Sequence, residues 1–414
     1  MIAAVLSIGT ELTRGELVNS NAAWLSEQLT ALGFSVHTQL TVDDDIPRIS
    51  AAVTELAQRH QLVVSTGGLG PTSDDLTTEA VAKALGVGLV RDQPSLDRLR
   101  GFFSARGRVM SQTNEKQTDF PEGADILPNE VGTANGFGVS LGACRLFFMP
   151  GVPREMKHLF ADRIVPRVAD LVVNKSHQIH LRTFGLPESQ LGELLAGIEQ
   201  SHPGVTLGYR AHFPEIELKV LAQADDARAA ERLAERAADE VKRRVGDIIF
   251  GGRDDSFAGA VGRTLRDRGL TLGVAESCTG GLVGSMLTSV PGSSDYLLLD
   301  AVVYSNSAKT SVLGVGEETL RAYGAVSEET AIALVQGVLR VSGADLGVSI
   351  TGIAGPGGGT DEKPVGTVWI GVGSRAGAMF ARRFKLWGSR EWVQTLSAYT
   401  ALRMVQKLAS GQAP

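Results

Sequence analysis

Residues Ile2 to Ile8 form an almost unbroken apolar run, the pattern of a strand buried on both faces. From Asn21 the period changes to that of a helix. Trp24, Leu25, Leu29 and Leu32 share one stripe, and Gly33 supplies the stop. Phe34 to Val42 reads as a strand. Ile46 to His60 reads as a helix with Ile49, Val53 and Leu56 turned inward. Leu62 to Ser65 is a strand again, Leu76 to Leu85 a helix, and Arg145 to Met149 a further strand that leads through PGVPRE into another helix. Strands alternating with helices predict an α/β domain over residues 1–172, an open, mostly parallel, doubly wound sheet.

Residues 173–252 follow a different order. QIHLRTFG reads as a strand, PESQLGELLAGIEQ as a helix, VTLGYR and EIELKVLAQ as strands, and DIIFG as a last strand. Between the last two lies DDARAAERLAERAADEVKRRVG, an amphipathic helix whose charges form a solvated face. This small α+β module is similar to a KH-type unit. It lacks the GxxG loop that clamps a nucleic-acid backbone, so it reads as a spacer or dimerisation module. GGRDD is a linker. From 253 to 414 a second α/β domain follows: a helix to Arg268, a strand Leu270 to Val274, a strand ending in VVYSN, a strand in LGVSITG, a hairpin over TVWIGVGSRAGAMFARRFK and a C-terminal helix. Trp24 and Trp392 sit at helical spacing with aliphatics and read as core.

Composition narrows the function. Three domains suit 414 residues. Lys+Arg 40 against Asp+Glu 46 gives −6, which excludes a general nucleic-acid coat protein. Gly is high at 49, as tight phosphate-handling loops require. No apolar run approaches the ~18 residues of a membrane span, so a cytoplasmic protein with no membrane partner is expected. Cys144 and Cys278 are too few for a disulfide framework or a structural zinc. All seven histidines precede residue 213, so hydrolysis in the last third must proceed without a histidine base.

Two loops carry the candidate chemistry of the first domain. In TGGLGPTSDD, Gly67, Gly68 and Gly70 let N–H groups converge beside a helix start, an anion cradle. Thr66, Pro71 and Thr72 belong to the same loop. Asp74, Asp75 and Glu79 stand next to it and need a divalent ion between themselves and a phosphate; alternatively Asp74 or Asp75 caps the helix. GTELTRGELVNSN follows the first strand on the same sheet edge, so Gly9, Thr10, Glu11 and Asn21 point to the same pocket, with helix capping by Asn19 or Ser20 as the plainer reading. Asp43-Asp44-Asp45 reads as a solvated charge run.

In the last domain AESCTGG places Ser277, Cys278 and Thr279 at a strand-to-helix turn. Either Ser277 or Cys278 needs an activator, and YSNSAK offers Tyr304 and Lys309; a buried lysine takes a hydroxyl proton. SITGIAGPGGG adds Thr351 and backbone N–H groups suited to an oxyanion hole or phosphate nest. GVGSRA is a hairpin turn rather than a dinucleotide fingerprint.

These motifs, with NEVGTANGF, FMPGVPREM, GAVSEE and KPVGTV, resemble the competence/damage-inducible protein family CinA over essentially the whole chain. The resemblance implies a MoaB/MogA-type molybdopterin-binding-like first domain with metal-dependent ADP-ribose pyrophosphatase activity, a KH-type middle module and a nicotinamide mononucleotide deamidase. It implies a bifunctional enzyme of pyridine-nucleotide recycling, typically a cytoplasmic homodimer. The alternatives are a molybdopterin- or nucleotide-binding protein without turnover in the first domain, or an interaction protein of competence and DNA damage. The resemblance implies Ser277 as nucleophile, with Tyr304 and Lys309 as acid/base partners. It implies a substrate site of Glu276, Thr279, Gly280, Thr351, Gly352, Gly355 and Arg382 or Arg383. For the first domain it implies Asp75, with Asp74 and Glu79, as holders of Mg2+ or a transition metal such as Co2+, and K+ as a further ion; the deamidase needs none. The sequence departs from the family at Leu299-Asp300, where a glycine pair is usual, and at Val303.

Overall fold

The computed structural model describes residues 1–172 and 175–414. The expected boundary between 172 and 173 therefore ends at a residue outside the described ones. The chain divides into two compact units, 1–178 with 199–206 and 221–237, and 179–198 with 207–220 and 238–414.

The first unit is built on a six-stranded sheet in the order Ser35–Val42, Ile2–Ile8, Leu62–Thr66, Cys144–Met149, Gly136–Leu141, Asp125–Leu127. The first four strands run parallel and the last two antiparallel. Helix Ser20–Leu32 is capped by the Asn19 side chain and stopped by Gly33 at φ 105°. Helix Ile46–Arg59 buries Ile49, Val53 and Leu56, as its periodicity predicts. Its cap is Asp45, while Asp44 accepts from the Thr10 N–H and hydroxyl and Asp43 pairs with Arg48. The three aspartates are thus anchors, not a solvated run. Trp24 packs edge-on against Phe160 in a core cluster.

The small sheet of the middle segment has the order Val205–His212, Glu215–Ala224, Lys175–Thr183, Ile249–Gly251. The helix expected over 187–200 is two pieces, Glu188–Leu194 and Ile198–Ser201, because Gly197 takes φ 87° between them.

The second unit carries a five-stranded sheet in the order Leu297–Val302, Leu272–Glu276, Leu346–Gly352, Thr367–Ser374, Met379–Lys385. The first three are parallel and the hairpin antiparallel. Helix Arg390–Ala409 lays Val393, Ala401, Leu402 and Val405 into the core. Trp392 corrects the sequence reading: it is 38% exposed and stacks on Phe213 instead of entering that core. Among the described residues no helix is long and apolar enough to cross a membrane.

Candidate active sites

Strand Leu272–Glu276 is buried along its length and ends in a turn at Ser277. The Ser277 N–H is tied to the Ile350 carbonyl of the neighbouring strand at 3.0 Å, which fixes the turn against the sheet. Helix Asn306–Leu313, capped by the Ser305 hydroxyl, brings Lys309 underneath. Lys309 is 1% exposed, and its Nζ lies 3.1 Å from Ser277 Oγ, 2.9 Å from the Val303 carbonyl and 3.1 Å from the Tyr304 carbonyl. Among the described residues no carboxylate pairs with it there. Burial therefore pushes its pKa below the usual lysine range. In the neutral amine the two carbonyls take the two N–H donors, and the lone pair is left facing the Ser277 hydroxyl. This is the geometry of a base.

Cys278 is 4% exposed, and burial pushes its thiol up to about 12, so it stays protonated at neutral pH. Among the described residues no backbone carbonyl outside the regular elements accepts from its N–H or from that of Thr279. The Thr279 hydroxyl is likewise buried without a partner.

The remaining expected residues divide. Tyr304 reaches Lys309 through its backbone; its phenol instead accepts from Arg390 Nη2 at 2.9 Å. Arg390 also donates to the Gly355 carbonyl at 2.7 Å, so it joins the Tyr304 segment to the glycine loop. The sequence reading missed Arg390, which lies 86 positions from Tyr304 and in no glycine motif. Thr351 donates its hydroxyl to the Ala325 carbonyl at 2.6 Å and Gly352 closes the strand. Gly280 takes φ 65° in the nucleophile turn. Arg383 donates to the Glu362 carbonyl, whereas Arg382 lines a separate groove beside Phe384.

Glu276 is fully buried and holds a helix start. Its carboxylate accepts from the Gly281 and Gly284 N–H groups at 3.0 and 2.9 Å, holding the start of helix Leu282–Thr288. Asp300 lies beside it with Oδ1 buried and unpartnered. Burial, then the Glu276 charge, pushes the Asp300 carboxyl up to about 7. Between the ordinary value of 3.8 and about 7 the folded chain holds a proton that the unfolded chain has lost. Stability from this group is therefore present below that window and lost as pH rises through it. We expect thermal melts of the Asp300→Asn variant to be flatter between pH 4 and 7 than those of the wild type; parallel curves would contradict this.

In the first unit a cavity of about 630 Å3 opens at the ends of the parallel strands. Gly9, Glu11 and Asn21 line it from one loop, and Thr66, Gly67, Gly68, Gly70, Pro71, Asp74 and Asp75 from the other. Asn21 Nδ2 donates to the Gly151 carbonyl at 2.8 Å, and the Thr66 hydroxyl to the Pro150 carbonyl at 3.0 Å, which ties the loops together. Asp75 Oδ2 accepts from the Thr72 N–H at 2.8 Å and hydroxyl at 2.5 Å, so it shapes the loop and does not cap the helix. Hydrogen bonding from Thr72 holds Asp74 below its ordinary pKa. Thr10 anchors Asp44, and Glu79 pairs with Lys116, outside the lining. Among the described residues no three His, Cys, Asp or Glu side chains gather to hold a metal. Asp44, Gln117, Thr133 and Glu155 complete the wall, and the sequence reading gave them no role there. Half-buried Arg98 holds the 129–135 segment through the Asn129 and Thr133 carbonyls and Asn135. Gly67 sits at φ 111° with the Ile8 carbonyl 1.9 Å from where a Cβ would stand. Gly67→Ala should cost about 2 kcal/mol, a fall of roughly 4–8 °C in the unit's melting temperature; an unchanged melt would show that the turn relaxes freely.

Three family models match successive stretches of the chain. A CinA C-terminal domain model matches residues 254–409, a Probable molybdopterin binding domain residues 4–170, and a Damage-inducible protein CinA KH domain residues 178–251. The CinA-like protein of Desulfosudis oleivorans is 43% identical over 410 residues, 98% of this chain and 99% of its own. That of Geobacter sulfurreducens is 43% identical over 406 residues, 98% of each chain. The crystal structure of competence/damage inducible protein CihA from Agrobacterium tumefaciens is 40% identical and covers 38% of this chain and 94% of its own, with a TM-score of 0.36.

Proposed function

The chain belongs to the CinA family, and from that premise we propose that its C-terminal α/β domain is an amidohydrolase that converts nicotinamide mononucleotide to nicotinate mononucleotide and ammonia. The observation that carries the reading is Lys309 Nζ, buried and 3.1 Å from Ser277 Oγ, with its other contacts on two carbonyls. Lys309 takes the Ser277 proton as Oγ attacks the carboxamide carbon. The Cys278 and Thr279 N–H groups face the developing oxyanion. The C–N bond breaks, and Lys309 returns the proton to the leaving nitrogen as ammonia forms. Water, deprotonated by the same amine, then splits the Ser277 ester to release the acid and restore the hydroxyl. Arg390 positions Tyr304 and the glycine loop.

For the N-terminal cavity we propose a phosphate-bearing nucleotide ligand, and ADP-ribose pyrophosphate cleavage as its activity. The cavity fits a group that brings its own oxygen ligands: Mg2+ is commonly held by one or two carboxylates plus substrate phosphates, and Asp74 and Asp75 are the carboxylates on that loop. A divalent ion there would neutralise phosphate charge. Turnover of ADP-ribose that depends on added divalent metal and falls at least tenfold in Asp74→Ala would support this reading. Binding of a nucleotide or pterin without turnover would instead make this domain a binding module.

A further inference from the structure

The second unit holds another cavity, of about 850 Å3, that the amidase chemistry does not use. Its wall carries an unusual density of aromatic surface for a chain with only 6% aromatics. Phe213 and Trp392 stack at 4.2 Å, and Trp387 stands at 65° to Trp392 with their centroids 5.0 Å apart. Trp387 is 65% exposed and Phe213 39% exposed. The two indoles form a corner, and Trp387 is the more exposed of the two. Isolated exposed apolar residues are ordinary, but a contiguous aromatic corner in a concave wall is characteristic of a binding site.

Charge defines what the corner would hold. Arg382, Arg403 and Lys407 line the same wall. Arg382 lies over the Phe384 ring, and neither it nor Lys407 meets a carboxylate among the described residues. Of the two carboxylate side chains in the wall, Glu215 is buried and already held by Arg182 and the Tyr399 hydroxyl. Among the side chains of the wall that leaves Asp247 against three cations, with the Pro414 backbone also in the lining. The volume falls within the range of small-ligand pockets. A planar ring on Trp387 with an anionic group toward Arg382 and Lys407 satisfies both halves of the wall.

We propose that this groove is a second nucleotide site, distinct from Ser277 and from the N-terminal cavity, which takes a mononucleotide with its base on Trp387 and its phosphate on Arg382 and Lys407. The test is calorimetric titration of the full chain with 5′-AMP. Trp387→Ala should weaken one binding event at least about fivefold, the lower end of what base stacking supplies, and Arg382→Glu should weaken the same event at least tenfold by removing a charge-assisted phosphate contact. Trp387→Phe should retain it within about threefold, since phenylalanine also stacks. Adenosine, lacking the phosphate, should bind that site at least tenfold more weakly than AMP. Asp75→Ala and Ser277→Ala should leave this event in place. AMP binding unchanged by both Trp387→Ala and Arg382→Glu would overturn the proposal. So would a Trp387→Ala variant that turns a dimer into a monomer while AMP binding persists, because the groove would then belong to a second copy of the chain.

Discussion

Replacing Lys309 by alanine should lower kcat for amide hydrolysis by on the order of 10³ or more. The lysine is asked both to accept the Ser277 proton and to deliver it to the leaving nitrogen, so its loss removes two steps. Its environment is suited to the task. A buried amine with only carbonyls and a hydroxyl around it has a lowered pKa, and a larger neutral fraction near pH 7 follows. The pH profile of kcat should accordingly rise on the alkaline side through a group that titrates below the ordinary lysine range. Lys309→Arg should be no rescue, because a guanidinium stays protonated. A Lys309→Ala enzyme within tenfold of wild type, with its fold verified by thermal melting, would remove lysine from the chemistry.

Ser277→Ala should be as damaging, on the order of 10³ or more in kcat, because the amide is then left without a nucleophile. The neighbouring thiol gives the discriminating control. Cys278 is buried and its thiol is pushed up to about 12, which leaves almost no thiolate at neutral pH. Cys278→Ala should therefore retain activity within about threefold. The reverse pattern, an active Ser277→Ala and an inactive Cys278→Ala, would transfer the nucleophile to sulfur.

Much of this site was legible in the sequence because its chemistry is local. The turn after Leu272–Glu276 follows from a buried apolar run meeting two glycines, and the histidine-free last third leaves Tyr304 and Lys309 of YSNSAK as the candidate activators. Helix Ile46–Arg59 was legible for a similar reason: one strong stripe with proline at its first turn. What escaped depends on contacts between distant positions. Glu276 belongs to the AESCTGG motif, yet its carboxylate turns inward to the Gly281 and Gly284 N–H groups, a choice set by burial. Tyr304 also lies in a motif, but its phenol is held by Arg390, which no local pattern singles out. Trp392 has core periodicity, but Phe213, 179 positions earlier, provides the surface on which it stacks outside the core. Glu79 stands next to the glycine loop in sequence, but it pairs with Lys116 outside the lining of the cavity.

Incubating the purified full chain with nicotinamide mononucleotide, without added metal, and measuring released ammonia tests amide hydrolysis by a serine and a buried lysine. The wild type should release ammonia and nicotinate mononucleotide in equal amounts, and release should be lower by on the order of 10³ or more from Ser277→Ala and from Lys309→Ala. A folded wild-type protein that releases no ammonia, or a Ser277→Ala variant that releases it at the wild-type rate, would contradict it.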